Sequence, residues 1–381
     1  MEKKKKKFAV LVLLMFLFSI AQGFAQECGD VNSNGTVDIV DALLIAQYYV
    51  QLDPTGFVTS VADVNGDNEI NIVDALQIAR YYINLINGLN CPNTPTPTPQ
   101  APNCTPNPTP QKVNVNFTGS SFTGSHQVVV ETDPGLPKFT IFRPSDLAPG
   151  KKYPIASWGQ GACSTDGLSN TEYCGQLASH GYLVIADGTP NGSGGGCGTA
   201  YSMDLRGGVC LLDAIKWAIR ENDNPCSQYY QSLDATKTAA FGFSCGGIMA
   251  EGAGSMKDPV LTTFMPVSSG MTSANQSVID SFQTPVLFLE GGTSDMAYAN
   301  GKRDFQAIKN GAVPAMFVSR NVGHGGTLND DNGGLFGQVT LAWLNWWLKD
   351  DMSATGKGFL VGSTCNICRD SAWEMASKNL P

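Results

Sequence analysis

Gly242-Phe243-Ser244-Cys245-Gly246 is the stretch that most restricts how this chain folds. Thr238-Ala239-Ala240-Phe241 before it reads as a short buried strand. Gly247-Ile248-Met249-Ala250-Glu251-Gly252-Ala253 after it reads as a helix packed closely through small residues. A G-x-S-x-G pentapeptide between strand and helix makes a sharp, strained turn that lifts the serine hydroxyl out of the sheet. Alone it is a weak signal, because an ordinary Gly-rich turn has the same composition. Two loops further along the chain give it weight. The apolar run Pro285 to Leu289 reads as a strand ending in Glu290-Gly291-Gly292-Thr293-Ser294-Asp295. Ala315-Met316-Phe317-Val318 reads as another, followed by Asn321-Val322-Gly323-His324-Gly325-Gly326. Serine, acid and histidine thus come in the chain order that a nucleophile elbow calls for, with room for a strand–helix unit between each pair.

These residue types point to acyl transfer. Ser244 is the candidate nucleophile, His324 the general base and Asp295 the group that orients the imidazole. Of the three histidines, His126 precedes the expected sheet core and His180 reads as a helix C-cap before Gly181. Asp187 and Asp204 are rivals to Asp295 but lie outside the Ser–His interval, and Glu290 is placed to point back into the sheet. The oxyanion needs preorganised donors. The backbone N–H of Cys245 is the first candidate, and that of Gln160, in the loop after the strand ending at Trp158, is the second, with the Gly161 N–H as the alternative.

A second feature is a repeat. Asp30 to Asp41 is echoed 33 positions on by Asp63 to Asp74. Asp30, Asn32, Asn34, Asp38 and Asp41 stand at loop positions 1, 3, 5, 9 and 12, and Asp63, Asn65, Asp67, Asn71 and Asp74 match them. Thr36 and Glu69, at position 7, offer a backbone carbonyl. This is the oxygen-only pattern of a twelve-residue calcium loop. Gly35 supplies the sharp turn at position 6 in the first loop and Asn68 in the second. Helices are expected over Ala42 to Val50 and Ala75 to Ile83.

Composition orders the rest. Lys3 to Lys7, an apolar core from Phe8 to Ile20 and small residues before Gln26 make residues 1–25 a secretory signal peptide, with no membrane attachment after its cleavage. Residues 26–91 form the repeat module, residues 92–111 a Pro/Thr-rich, semi-rigid linker, and residues 112–381 the second domain. A net charge of −9 argues against a nucleic-acid surface. Eleven cysteines fit an oxidising compartment and leave at least one unpaired within the chain, with Cys104 the first candidate. Cys28 and Cys91 are placed to clasp the repeat module, and a disulfide is the better reading of Cys365 and Cys368. In the second domain, strands are expected at Val113 to Phe117, Gln127 to Glu131, Phe139 to Phe142, Tyr153 to Trp158 and 182–186, and helices at 171–180, 203–221 and Leu335 to Lys349. The alternation implies a mainly parallel sheet with helices on both faces. Trp343, Trp346 and Trp347 read as core. The Cys365 to Lys378 segment has no clear place.

On its two calcium loops, residues 26–91 resemble a type I dockerin. The resemblance implies a small all-α domain, two structural calcium ions, and a cohesin of a scaffold protein as partner. Ile39, Val40, Ile72 and Val73, at loop positions 10 and 11, become the implied cohesin contacts. They depart from the Ser-Thr pair of the best-known dockerins, which leaves the cohesin type open, and their near-identity would permit two binding orientations. A calcium-stabilised spacer with no partner is the alternative. The second domain, on Trp158-Gly159-Gln160-Gly161, the elbow, Gly291 to Asp295 and Gly323-His324-Gly325-Gly326, is similar to α/β-hydrolases of the dienelactone-hydrolase and polyesterase-like serine esterase group. That implies a carboxylic ester hydrolase with no catalytic cofactor. The expectation for the whole chain is a secreted esterase removing acetyl or feruloyl groups from plant cell-wall polysaccharide. The alternatives are a cutinase-like polyester or lipid esterase and a catalytically silent binding or scaffold protein.

Overall fold

The computed structural model describes residues 27–83, 85–91, 109–117 and 122–381. The expected signal peptide, most of the expected linker, and Cys104 lie outside them. The chain divides into two compact units, Met1–Ala101 and Pro102–Pro381.

The first unit is built on α1 (Ile39–Tyr49) and α2 (Ile72–Tyr82). Val31, Ile45, Val61, Ala62, Val64 and Ile78 form its core. The two halves cross-bond, Val58 N–H to Val31 O at 2.9 Å and Gly29 N–H to Val61 O at 2.9 Å. A disulfide between Cys28 and Cys91 clasps the ends. Both helices begin three residues earlier than expected, at loop position 10. The cause is a capping box at each start. Asp38 Oδ1 accepts from Val40 N–H at 2.7 Å, and Asp41 Oδ2 accepts from Asp38 N–H at 2.9 Å. Asn71 and Asp74 repeat this at 2.7 and 2.8 Å.

The second unit is organised by a ten-stranded sheet. Its strands are β1 (Gln111–Lys112), β2 (Val128–Thr132), β3 (Phe139–Pro144), β4 (Tyr153–Gly159), β5 (Leu183–Asp187), β6 (Leu233–Phe243), β7 (Thr263–Val267), β8 (Val286–Glu290), β9 (Ala315–Arg320) and β10 (Trp373–Lys378). Their order is β1-β2-β3-β5-β4-β6-β7-β8-β9-β10. The run from β5 to β9 is parallel; β1, β2, β3 and β10 pair antiparallel. The longer helices are α3 (Thr171–Ser179), α4 (Gly208–Asp223), α5 (Cys245–Ser255), α6 (Tyr298–Ala307) and α7 (Gly334–Lys349). On one face, Trp158, Phe241, Met265 and Leu287 pack against Tyr173 and Leu177 of α3 and Trp343 and Trp346 of α7. On the other, Ile155, Leu183, Phe264 and Phe288 pack against Leu211 and Ile215 of α4, Met249 and Ala253 of α5 and Phe305 of α6. This is the two-faced arrangement that alternating strands and helices require.

Three expectations change. Val113–Phe117 is not a strand; pairing instead begins at Gln111, and only Val113 among those five residues shows a main-chain bond to β2, its N–H reaching Val130 O at 2.8 Å. Helix α4 starts at Gly208 rather than 203, because Asp204 caps a separate 3-10 turn, accepting from Arg206 N–H at 2.8 Å. The C-terminal segment is placed by β10, which pairs with β9 from Trp373↔Arg320 to Lys378↔Ala315.

Strand order reverses at β4. The chain leaves β4 for β5 on one side, then returns to lay β6 on the other. The carboxyl ends of β4 and β6 therefore flank the crevice that a switch point opens in a parallel sheet. Gly159 ends β4 and Phe243 ends β6, so both signature loops emerge there. Helix α5 can lie close because it is rich in glycine: a Cβ on Gly252 would stand 1.8 Å from the Leu205 carbonyl oxygen. Gly252→Ala is expected to destabilise this unit by about 1–3 kcal/mol; thermal unfolding checks it, and an unchanged melting temperature would refute the close approach.

Candidate functional site

In the first unit the two loops fold their oxygens inward. Asp30 accepts from Asn34 N–H and Gly35 N–H, both at 3.0 Å, and Asp63 accepts from Gly66 N–H at 2.8 Å and Asn68 N–H at 2.9 Å. Asn34 Oδ1 and Asp67 Oδ1 accept from the N–H of Thr36 and Glu69 at 2.8 and 2.9 Å. Position 6 is left-handed in both, with φ 84° at Gly35 and 68° at Asn68. Position 4 is left-handed too, at Ser33 (φ 59°) and Gly66 (φ 77°), which the motif does not disclose. Among the described residues no group of three or more His, Cys, Asp or Glu side chains is gathered as a metal site. The donor chemistry nevertheless fits a hard cation, since the motif positions carry carboxylate, amide and hydroxyl oxygens and no sulfur or imidazole. Ile39, Val40, Ile72 and Val73 occupy the exposed first turns of α1 and α2, each 45–51% accessible.

In the second unit the elbow is explicit. Ser244 has φ 52° and ψ −112°, a conformation serine rarely adopts. It is held from both sides. Ser244 N–H donates to Val267 O at 2.9 Å, and the Ser269 hydroxyl donates to Ser244 O at 2.6 Å. The turn is tight enough that a Cβ on Gly246 would lie 2.1 Å from the Gly159 carbonyl oxygen.

Ser244 Oγ stands 3.0 Å from His324 Nε2, and His324 Nδ1 stands 2.6 Å from Asp295 Oδ1. Asp295 is itself fixed, Oδ2 accepting from Gly291 N–H at 3.0 Å and Oδ1 from Ala297 N–H at 2.8 Å. The acid and histidine loops are tied together, since Gly291 O accepts from Val322 N–H at 2.9 Å and Gly323 N–H at 2.8 Å. Left-handed glycines at 323 and 325 flank the histidine, and Gly325 N–H donates to Ser268 Oγ at 3.3 Å. Phe243 packs on the imidazole at 4.9 Å between ring centres. With Nδ1 protonated toward Asp295, Nε2 is free to accept the serine proton.

The loop after β4 closes this corner. Gln160 O accepts from Gly246 N–H at 3.0 Å. The Gln160 side chain is pinned, Oε1 accepting from Trp158 Nε1 at 3.0 Å and Nε2 donating to Asp187 O at 3.2 Å. A disulfide joins Cys163 to Cys245. Cys245 is the first residue of α5, so no helical carbonyl precedes it to take its N–H. The Asp187–Ala200 loop abuts the same place. Asp187 accepts from Cys197 N–H at 2.8 Å and Gly198 N–H at 2.9 Å, and Cys163 Sγ lies 3.5 Å from Ser202 Oγ. Among the described residues the free thiol is Cys174, buried in α3, where burial pushes its pKa up. A cavity of about 430 Å³ lined by Met316, Leu360, Ile367, Trp373 and Met375 lies against β10 and includes none of the residues around Ser244.

The rival acids have other tasks. Asp187 holds the loop that runs to Ala200, and Asp204 caps a turn. Glu290 is fully buried and accepts from Ser269 N–H at 3.2 Å. Burial, then the charge of Asp295, pushes its pKa well above the carboxylate range. Glu251 on α5 is raised likewise by burial and then by Asp304, which receives Met271 N–H at 2.7 Å and Arg303 Nε–H at 2.9 Å. A carboxyl whose pKa is raised on folding holds its proton more tightly in the folded state. Stability therefore falls as pH rises from the ordinary value of 4.5 through the folded value. Glu251→Gln and Glu290→Gln keep the shape without the titrating proton. Each is expected to flatten the loss of stability that sets in as pH rises above the ordinary value of 4.5, read by urea unfolding; an unchanged pH slope would show that these acids are already ionised.

No curated protein matches the chain. Residues 28–83 match the Dockerin type I domain family. Dockerin domains bind calcium, type I dockerins bind cohesins of scaffold proteins, and their presence suggests cellulosome-type extracellular assembly. On the strength of that match, the chain carries a type I dockerin domain at residues 28–83.

Proposed function

We propose that residues 112–381 form a serine esterase that hydrolyses carboxylic esters of plant cell-wall polysaccharide, acetyl or feruloyl, while residues 26–91 dock it on a scaffold. The observation that carries the reading is the chain Ser244 Oγ–His324 Nε2 at 3.0 Å and His324 Nδ1–Asp295 Oδ1 at 2.6 Å, set on a strained elbow at the switch point. Ser244 Oγ attacks the ester carbonyl as His324 takes its proton. The tetrahedral oxyanion is met by the Cys245 N–H and a second N–H from the Gln160 loop. His324 returns the proton to the leaving alcohol, and water repeats the sequence on the acyl-enzyme. Asp295 keeps Nδ1 protonated and stabilises the imidazolium. The substrate class is supported by association, because the same chain carries a dockerin domain. Two calcium ions would be held through Asp30, Asn32, Asn34, Thr36, Asp38 and Asp41 and their counterparts Asp63 to Asp74, closing each loop onto the helix it precedes.

Wild type and Ser244→Ala on acetylated xylan, feruloylated arabinoxylan and an aliphatic polyester test the catalytic half. Release of acetate or ferulate is expected to fall at least about a thousandfold in the variant. Turnover of the polyester alone would favour the cutinase-like alternative, and equal rates in both proteins would remove Ser244 as nucleophile. For the docking half, cohesin capture is expected to require calcium and to be lost on chelation. Ile39→Asp or Ile72→Asp alone should cost little, since either repeat can present its pair, while the double substitution should abolish capture. Capture that survives chelation would overturn the calcium assignment.

A further inference from the structure

The Cys163–Cys245 disulfide joins the loop after β4 to the residue next to Ser244, across 82 positions of sequence. We propose that this bond is a positioning element for the oxyanion-binding corner and makes turnover at Ser244 dependent on redox state. This inference rests on the esterase reading of the second unit.

Three observations support it. The first is conformational. Ala162 (φ 54°) and Cys163 (φ 52°) are consecutive left-handed residues without being glycine. Such backbone persists only where its surroundings hold it. Gln160 is fastened through its carbonyl and its side chain, but the left-handed pair beyond it is covalently fastened through Cys163. The second is location. Cys245 supplies one candidate N–H, and the loop supplies the other, so the bond spans the two walls that must converge on a single oxygen. The third is access. Cys163 is partly exposed beside Ser202, whereas Cys245 is 1% accessible.

That asymmetry sets the direction of exchange. An external thiolate reaches Cys163 Sγ and forms a mixed disulfide there, and the bonding pair leaves with Cys245 Sγ. The leaving thiolate stands at the N-terminus of the eleven-residue α5, where the helix dipole favours negative charge and a good leaving group. The second thiol of an external dithiol then attacks its own sulfur in the mixed disulfide, closes to a cyclic disulfide and releases Cys163. The dithiol loses two electrons, and the protein gains two electrons and two protons as a pair of thiols. Freed, the loop no longer holds its N–H in register with that of Cys245. A misplacement of about 1 Å costs on the order of a hundredfold in rate.

The test uses the full chain and p-nitrophenyl acetate. Wild type is assayed oxidised, after dithiothreitol, and after reoxidation, at a temperature where far-ultraviolet circular dichroism shows the fold intact. Reduction is expected to lower kcat by about tenfold to a hundredfold, with KM held within about twofold, and reoxidation to restore it. The double variant Cys163→Ser with Cys245→Ser should show the low kcat without reductant and no further response. Cys365→Ser with Cys368→Ser should behave as wild type in both states. Unchanged kcat in reduced wild type, with Cys163 and Cys245 both shown alkylated by mass spectrometry, overturns the proposal whether or not the double variant folds. Oxidised wild type that does not hydrolyse the ester in a Ser244-dependent way overturns the esterase reading, and this inference with it.

Discussion

The Ser244 backbone is the constraint around which the second unit is arranged. A residue at φ 52° and ψ −112° costs on the order of 1–3 kcal/mol, and the structure offsets this from every side. Val267, at the end of β7, accepts from the Ser244 N–H, and the hydroxyl of Ser269, just beyond that strand, donates to the Ser244 carbonyl. Glycine at 246 lets β4 come within contact of the first turn of α5. Ser269 N–H in turn donates to Glu290, the fully buried last residue of β8. The strained turn is thus the meeting point of four consecutive strands of the parallel run.

How much can be read from the residues depends on how local each signal is. The elbow, the acid and histidine loops and the two repeats are short motifs whose chemistry is carried by side chains a few positions apart. Trp343 and Trp346 are core, as the apolar pattern of their helix indicates, while Trp347 is half-buried and packs against that core. The helix starts at Ile39 and Ile72 are hidden because Asp38 and Asn71 read as loop oxygens, although each is also an N-cap with an acid three residues on. Strand β10 escapes notice because Trp-Glu-Met-Ala-Ser-Lys is short, mixed in polarity and becomes a strand by pairing with β9. The Cys163–Cys245 bond is beyond reach for a different reason. Those cysteines meet only because β4 and β6 are neighbours, which is set by the reversal of strand order and not by any local pattern.

The two units solve the problem of stability differently. The second buries large side chains on both faces of its sheet. The first has a core of small and branched aliphatic residues around two helices. A chain segment that short is marginally stable by packing alone. Its clasp at Cys28 and Cys91 adds a covalent constraint to that small core.

The capping boxes of α1 and α2 have one more consequence. Asp41 and Asp74 each close a loop from its last position and also hold the N-cap amide of the adjoining helix. The apolar pairs Ile39-Val40 and Ile72-Val73 sit in the very turns those carboxylates secure. With the proposed calcium ions in place, ion occupancy and the geometry of the apolar surface would share one structural equilibrium. By thermodynamic reciprocity, any ligand of that surface which selects the intact first turn would then tighten the grip on the ion beneath it by the same factor that the ion tightens the ligand. The proposed ion loops and the exposed helix faces would be two readouts of a single cooperative element.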